Sequence, residues 1–285
     1  MIPQAASAEI LVRHCHGLSE FEACVELQKR VWSGADIDVV PLPLFVVAAE
    51  TGGQVLGAFA GAGPAGAGEK MIGFTMALAG VREGKPYLHS HMTAVLEGHR
   101  DRGIGRKLKL FQRQDALGRG ITLVEWTFDP LELKNAHFNL MRLGAIVRRF
   151  LPNCYGITSS PLHGGLPTDR LVAEWWLASH RVEILAEPPP LGEGTGNAVA
   201  MYLPRAESVV SIRVPANIGE LRQHDSARAL RVQSEIREQF QHWLGRGYAA
   251  TAFALKADGG NYLLAPWAQP HGTDLNSIFF RRVGP

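Results

Sequence analysis

The sequence predicts an α/β (or α+β) protein with a mixed, mostly antiparallel sheet flanked by helices and a smaller C-terminal β-α-β-β lobe. Three observations lead there. Short apolar runs separated by turn residues fill Leu44 to Leu96, and two amphipathic repeats with a strand between them follow, from Ile104 to Leu143. A proline- and glycine-rich stretch, Glu187 to Gly196, then precedes one more strand, a long helix and two strands.

The elements are predicted in this order. Ser19 to Trp32 reads as a helix, with Ser19 and Glu22 in capping-box spacing. Strands are expected at Leu44 to Ala49, Val55 to Gly61, Met71 to Leu78 and Pro86 to Leu96. Ile104, Leu108 and Phe111 recur at helical spacing among basic residues, and Gly118 and Gly120 stop that helix. Ile121 to Phe128 is a strand and Leu131 to Leu143 a helix closed by Gly144; strands follow near Ile146 to Leu151 and Arg170 to Leu177. Beyond the linker come a strand at Val209 to Val214, a single helix from Asn217 (with Glu220 three on) to Leu244, and strands at Tyr248 to Leu255 and Asn261 to Leu264. The expected division is 1–186, a linker at 187–196, and a small lobe at 197–285.

Composition sets bounds on function. With 285 residues, 46% hydrophobic and 20% charged, the chain can bury a core without disulfides or a metal. A formal net charge of +2 gives no reason to expect nucleic acid or an anionic membrane as partner. Cys15, Cys24 and Cys154 are few and odd in number, which fits a reducing compartment. The first residues lack a basic segment followed by an apolar core, and no run of 18 apolar residues occurs, so a cytoplasmic protein is expected.

The chemistry concentrates at Arg100-Asp101-Arg102-Gly103-Ile104-Gly105 and the helix after it. A helix start offers backbone N–H groups without intrahelical partners and the positive end of the helix dipole. Gly103 and Gly105 let a ligand approach the backbone closely, and Arg100, Arg102, Arg106 and Lys107 add donors suited to a pyrophosphate or a 3′-phosphate.

Strand, Arg-x-x-Gly-x-Gly, helix, strand and second helix in sequence resemble the acyl-CoA-binding core of the GNAT superfamily of N-acetyltransferases over about residues 8 to 180. The second helix, Asn135-Ala136-His137-Phe138-Asn139-Leu140-Met141-Arg142-Leu143-Gly144-Ala145, is similar to the family's other CoA-contacting helix. The resemblance implies a GNAT-like fold, acetyl-CoA or another acyl-CoA as cosubstrate, and direct acyl transfer to a small amine such as an amino acid. It implies binding through residues 100–106 and Asn135. It also implies a splayed bulge at about Val95 and Leu96, whose backbone groups hold the pantetheine arm and the thioester carbonyl. Many members carry a tyrosine where this chain has Leu140, so a catalytically silent acyl-CoA-binding protein is the alternative. Tyr155 is the candidate substitute acid that protonates the departing thiolate.

A base must accept the amine proton near neutral pH. Glu125, among apolar neighbours in Leu123-Val124-Glu125-Trp126, is expected to hold a raised pKa. His89 and His91, by strand alternation, are expected to share a face with Thr93 and Val95, and His91 is the second candidate base. Two weaker patterns are set aside. Gly61 to Gly66 fits a dinucleotide fingerprint but contains Pro64 and precedes a strand. His14-Cys15-His16 lacks a second ligand pair, so no metal is expected. Two roles are open to the C-terminal lobe: capping the acceptor site or forming a homodimer interface.

Overall fold

The structure, a computed structural model, describes residues 10–32, 39–61, 68–82, 84–158, 164–186 and 208–267. The described residues of Met1–Ala79, Leu88–Trp126 and Ser159–Gly165 form one compact unit, and those of Gly80–Tyr87, Thr127–Thr158 and Leu166–Pro285 a second. Residues 187–196, expected as a linker, and most of the glycine-rich 61–66 lie outside the described residues.

The first unit is built from β1 (Ile10–His14), α1 (Gly17–Trp32), α2 (Leu42–Glu50), β2 (Gln54–Ala60), β3 (Lys70–Arg82), β4 (Lys85–Val95), α3 (Ile104–Gly118) and β5 (Leu123–Phe128). Its strands lie in the order β1-β2-β3-β4-β5. β1 pairs with β2 and β2 with β3 antiparallel, whereas β4 and β5 pair parallel. Alternation along β2 gives the sheet two apolar layers. Phe21, Cys24 and Leu27 of α1 and Phe45 and Ala48 of α2 cover Val55, Phe59, Phe74, Met76, Ala94 and Leu96. Ile104 and Leu108 of α3 cover Leu56, Ala58 and Ile72, with Val95 and Phe111 against them.

Two predicted elements change. Leu44 to Ala49, expected as a strand, is helical, because Pro41 and Pro43 bracket its start and proline presets a first helical turn while removing ladder donors. Phe45 and Ala48, three apart, are its buried pair. α1 begins at Gly17 (φ 71°), so Ser19 is not its cap; the Glu20 carboxylate instead accepts the His16 N–H at 2.7 Å and pairs with Arg13 at 2.7 Å. β1, an edge strand of five residues, was not expected.

The second unit holds α4 (Leu133–His137), β6 (Ile146–Leu151), β7 (Arg170–Trp176), α5 (His180–Ala186), β8 (Val210–Pro215), α6 (Ile218–His224), α7 (Ser226–Leu244), β9 (Tyr248–Lys256) and β10 (Gly259–Pro266). Its strand order is β7-β6-β9-β10-β8, with β6 paired antiparallel both to β7 and, at Val147↔Ala250, to β9. Residues 208–267 therefore extend one sheet with β6 and β7. Phe240 of α7 meets Tyr262 of β10 edge-on at 5.0 Å, and Tyr262 meets Phe253 at 4.7 Å, at the centre of this core.

The helix expected over Leu131 to Leu143 is α4 continued by a π turn at Phe138–Arg142, where the Leu143 N–H donates to Phe138 at 3.0 Å. Gly144 (φ 78°) ends it. Its last carbonyls are satisfied from outside: Arg181 donates to Leu140 at 2.6 Å and Gly144 at 3.0 Å, and the Trp175 indole to Leu143 at 2.7 Å. The helix expected from Asn217 to Leu244 is two helices. Asp225 (φ −147°, ψ 74°) leaves helical geometry, and its carboxylate caps α7 by accepting the Arg228 N–H at 2.9 Å. The Asn217 side chain makes no capping bond. Asp225→Ala should lower stability by about 1 kcal/mol, the usual worth of such a cap, measured as the shift in denaturant midpoint at unchanged slope.

Candidate functional site

The basic loop opens at the end of β4. After a 3₁₀ turn at Glu97–His99, Asp101 (φ 59°) and Gly103 (φ 76°) take left-handed conformations on either side of Arg102 and turn the chain into α3. Glycine takes that geometry freely and aspartate tolerates it. Ile104, 1% exposed, anchors the first turn in the α3-side core. A Cβ at Gly103 or Gly105 would meet nothing within 4 Å, so the helix start opens onto space. Arg100, Asp101, Arg102 and Lys107 are exposed there, and Gly105 and Arg106 are half-buried. The Arg100 Nε donates back to the Val95 carbonyl at 3.2 Å, tying the loop to the strand end.

Behind the loop the backbone is tight. A Cβ on Gly73 of β3 would sit 2.8 Å from the Ala94 carbonyl oxygen, so only glycine allows β3 this close to β4. The Leu96 N–H donates to Ile72 at 2.9 Å and is therefore engaged; of the two amides expected to hold a thioester carbonyl, this leaves Val95 as the candidate.

The β4–β5 register covers Leu88↔Val124 and His89↔Glu125. Just past it, the side chains of β4 slip by one residue. Ser90 bonds Lys109 of α3, yet Met92, Ala94 and Leu96 belong to the opposite layer with α1 and α2. Thr93 and Val95 return to the α3 side: Thr93 bonds Thr75, the register partner of Leu56, and Val95 packs with Ile104. The irregularity falls around His91, earlier than the position at about Val95 and Leu96 implied by the resemblance. It also corrects the expected shared face, because Thr93 and Val95 point away from His89 and His91. The two imidazoles do neighbour each other, with ring centroids 6.3 Å apart. His91 is accessible to solvent by area, but the protein around it still withholds enough water to lower its pKa. Glu125 is 2% exposed and, in the parallel register, stands beside His89.

On the α3 side lies a residue that the sequence reading missed. Lys109 is 4% exposed; its ammonium donates to Ser90 Oγ at 2.7 Å and to Gln112 Oε1 at 3.0 Å, and lies 4.1 Å from the centroid of the Trp126 ring. From there a polar chain runs outward: buried Gln112 donates to buried Gln54 at 3.0 Å, Gln54 to half-buried Asp115 at 2.6 Å, and Asp115 meets His14 Nε2 at 3.0 Å. The acceptors and the ring face favour a cation, but the loss of hydration outweighs them and brings the Lys109 pKa down to about 7. The signal available in the sequence was weak: position 109 directly follows Leu108 on the buried arc of α3, among other basic residues.

Tyr155, Asn135 and Leu140 belong to the second unit. Tyr155 is half exposed, with its hydroxyl 2.7 Å from Thr127 Oγ1 and its N–H bonded to Thr168 at 2.8 Å. Asn135 is exposed on α4, and Leu140 in the π turn is fully buried. His14, set aside as a metal ligand, is bonded to Asp115.

The open helix start, flanked by exposed arginines, stands at the end of a strand whose register with its neighbour ends at His89↔Glu125. No family model matches this sequence, and no curated protein does. Among solved structures the chain is similar to NAA60 from Arabidopsis thaliana in complex with acetyl-CoA, at 16% identity and a TM-score of 0.49, over 60% of this chain and 100% of that one. It is similar to the ribosomal-protein-S18-alanine N-acetyltransferase from Escherichia coli at 12% identity and a TM-score of 0.46, over 60% of this chain and 96% of that one. A third likeness is to the acetyltransferase of GNAT family from Streptococcus pneumoniae, at 14% identity and a TM-score of 0.44, over 58% of this chain and 98% of that one.

Lys109 makes stability depend on pH in a set direction. Its pKa is about 7 in the folded protein against 10.5 for an ordinary lysine, so between those values the unfolded chain binds a proton that the folded one does not. Its contribution should therefore grow as pH rises from about 7 toward 10. Melting curves of wild type and Lys109→Met across that range should show the wild type gaining relative to the variant.

Proposed function

We propose that the protein is an acyl-CoA-dependent N-acyltransferase that passes an acyl group, acetyl in the simplest case, directly to a small amine such as an amino acid. The observation that carries this reading is the solvent-open first turn of α3, started by Gly103 in a left-handed conformation and flanked by exposed Arg100, Arg102 and Lys107. The diphosphate of the donor lies on the amides of residues 103–105, with the guanidinium groups beside it. The pantetheine arm runs along the end of β4, and the Val95 N–H is the group that holds the thioester oxygen as negative charge develops on it.

The amine lone pair attacks the thioester carbonyl, the C–N bond forms and the C–S bond breaks with its electron pair leaving on sulfur. The proton lost by nitrogen goes to His91. Its lowered pKa keeps it neutral near neutral pH, and solvent reaches it, whereas Glu125 is buried. Glu125 is the second candidate, and its place beside His89 suits it to orienting that ring.

A second reading is favoured by Leu140, fully buried where the resemblance places a tyrosine: a protein that binds acyl-CoA without turning it over. The two part on one assay. Acetyl-CoA at about 100 times its Kd should add about 2.7 kcal/mol of stability under both readings, while release of free thiol with a panel of amino acids occurs only under the first. Arg102→Ala should raise the acetyl-CoA Kd about tenfold, as expected for one charge-assisted contact, and Gly103→Val more, because the left-handed turn is denied to it. No stabilisation by acetyl-CoA in the wild type rejects both readings.

If His91 is the base, kcat/KM should fall as pH drops through its lowered pKa, since only the neutral ring accepts a proton. His91→Gln should remove that acidic limb and reduce kcat about 100-fold or more. A limb that survives in His91→Gln and vanishes in Glu125→Gln assigns the proton to Glu125 instead.

A further inference from the structure

We propose that Lys109 is a positioning residue that fixes where β4 parts from β5, and so where the acyl thioester lies relative to the diphosphate held at the start of the same helix. The inference rests on the acyl-CoA reading above. Its geometry is independent of that reading. The parallel register ends at His89↔Glu125, and the next residue on each strand is Ser90 and Trp126. These are the two groups the Lys109 ammonium engages, at 2.7 Å from Ser90 Oγ and 4.1 Å from the centre of the Trp126 ring. One buried amino group thus braces both strands at the fork, immediately before β4 slips around His91. Gln112, bonded to Gln54 of β2, holds that group from its own helix.

Lys109 stands five residues from Ile104, where α3 begins. The helix is a rigid body across that span, so the brace ties its open first turn to the fork at a fixed distance. A donor with a diphosphate at one end and a reacting thioester at the other needs such a fixed separation. A buried ammonium is costly to desolvate, and an apolar residue of the same length would fill the space at least as well for stability alone. Its retention beside Ser90 is explained by the geometry it imposes.

The experiment uses the full chain and two probes: acetyl-CoA, and adenosine 3′-phosphate 5′-diphosphate, which carries the diphosphate but no pantetheine arm. Lys109→Met keeps the side-chain length without the amino group; Ser90→Ala removes one acceptor. The expected result is an acetyl-CoA Kd raised about tenfold in both variants with the Kd of the armless diphosphate changed less than about twofold, the scale of one hydrogen bond. With an amine substrate, KM for acetyl-CoA and kcat should both worsen, and Lys109→Arg should recover part of each. If both probes weaken alike, or neither does, the positioning role is overturned while the acyl-CoA reading stands. A wild type that binds neither probe rejects the acyl-CoA reading and this inference together. Should Lys109→Met fail to fold, Ser90→Ala gives the same ratio, and an unchanged ratio there overturns the proposal.

Discussion

The first unit is governed by a single constraint: its sheet is covered on both faces, and each strand must supply apolar side chains to two layers. A strict two-residue alternation meets that demand only while every strand keeps its parity. β3 and β4 each lose it once. At Ile72 an extra residue in β3, opposite the step from Ala58 to Phe59, puts Ile72 against α3 while Phe74 and Met76 face α1 and α2. Around His91 β4 slips in turn, leaving Ser90 under α3 and Met92 on the other side. Both irregularities adjoin the strand end that leads into the basic loop, where bulges commonly redirect side chains.

Polar groups are divided between two settings. Arg100, Asp101, Arg102 and Lys107 of the loop are exposed, and Arg100 donates to the Val95 carbonyl. Those beneath it are paired with one another, Lys109, Gln112 and Gln54 buried and Asp115 half-buried. A buried chain of this kind resists rearrangement, because breaking any member leaves a polar group without water or partner.

The second unit has a nearly buried cluster of ion pairs. Arg222, nearly buried, donates to Asp129 at 2.6 Å and to Glu132 at 3.2 Å, and Tyr262 donates to the Pro130 carbonyl at 2.8 Å. Burial and the Asp129 charge push the Glu132 pKa up despite Arg222. Asp129 also accepts the Leu131 N–H at 2.8 Å, closing the turn around Pro130. Arg181 performs the equivalent task for carbonyls, gathering Leu140, Gly144 and Thr251.

Local chemistry made much of this chain legible before folding. The glycines and arginines of the loop, the amphipathic α3 and most strands depend on neighbours in sequence, and they stand where the residues indicated. Prolines 41 and 43 were equally visible, and the strand expected at Leu44 gave way to a helix because its uniformly apolar run has no period to separate the two. The slip at His91, the engagement of the Leu96 amide and the brace made by Lys109 depend on partners 17 or more positions away, Trp126, Ser90 and Ile72 among them, that no local pattern names. The single sheet joining β6 to β9 arises the same way. Sequence alone determined most of the segments that turn, coil or extend, because those preferences are backbone and short-range effects. The tertiary structure decided which polar groups became buried and paired, because that depends on which distant side chains displaced their water.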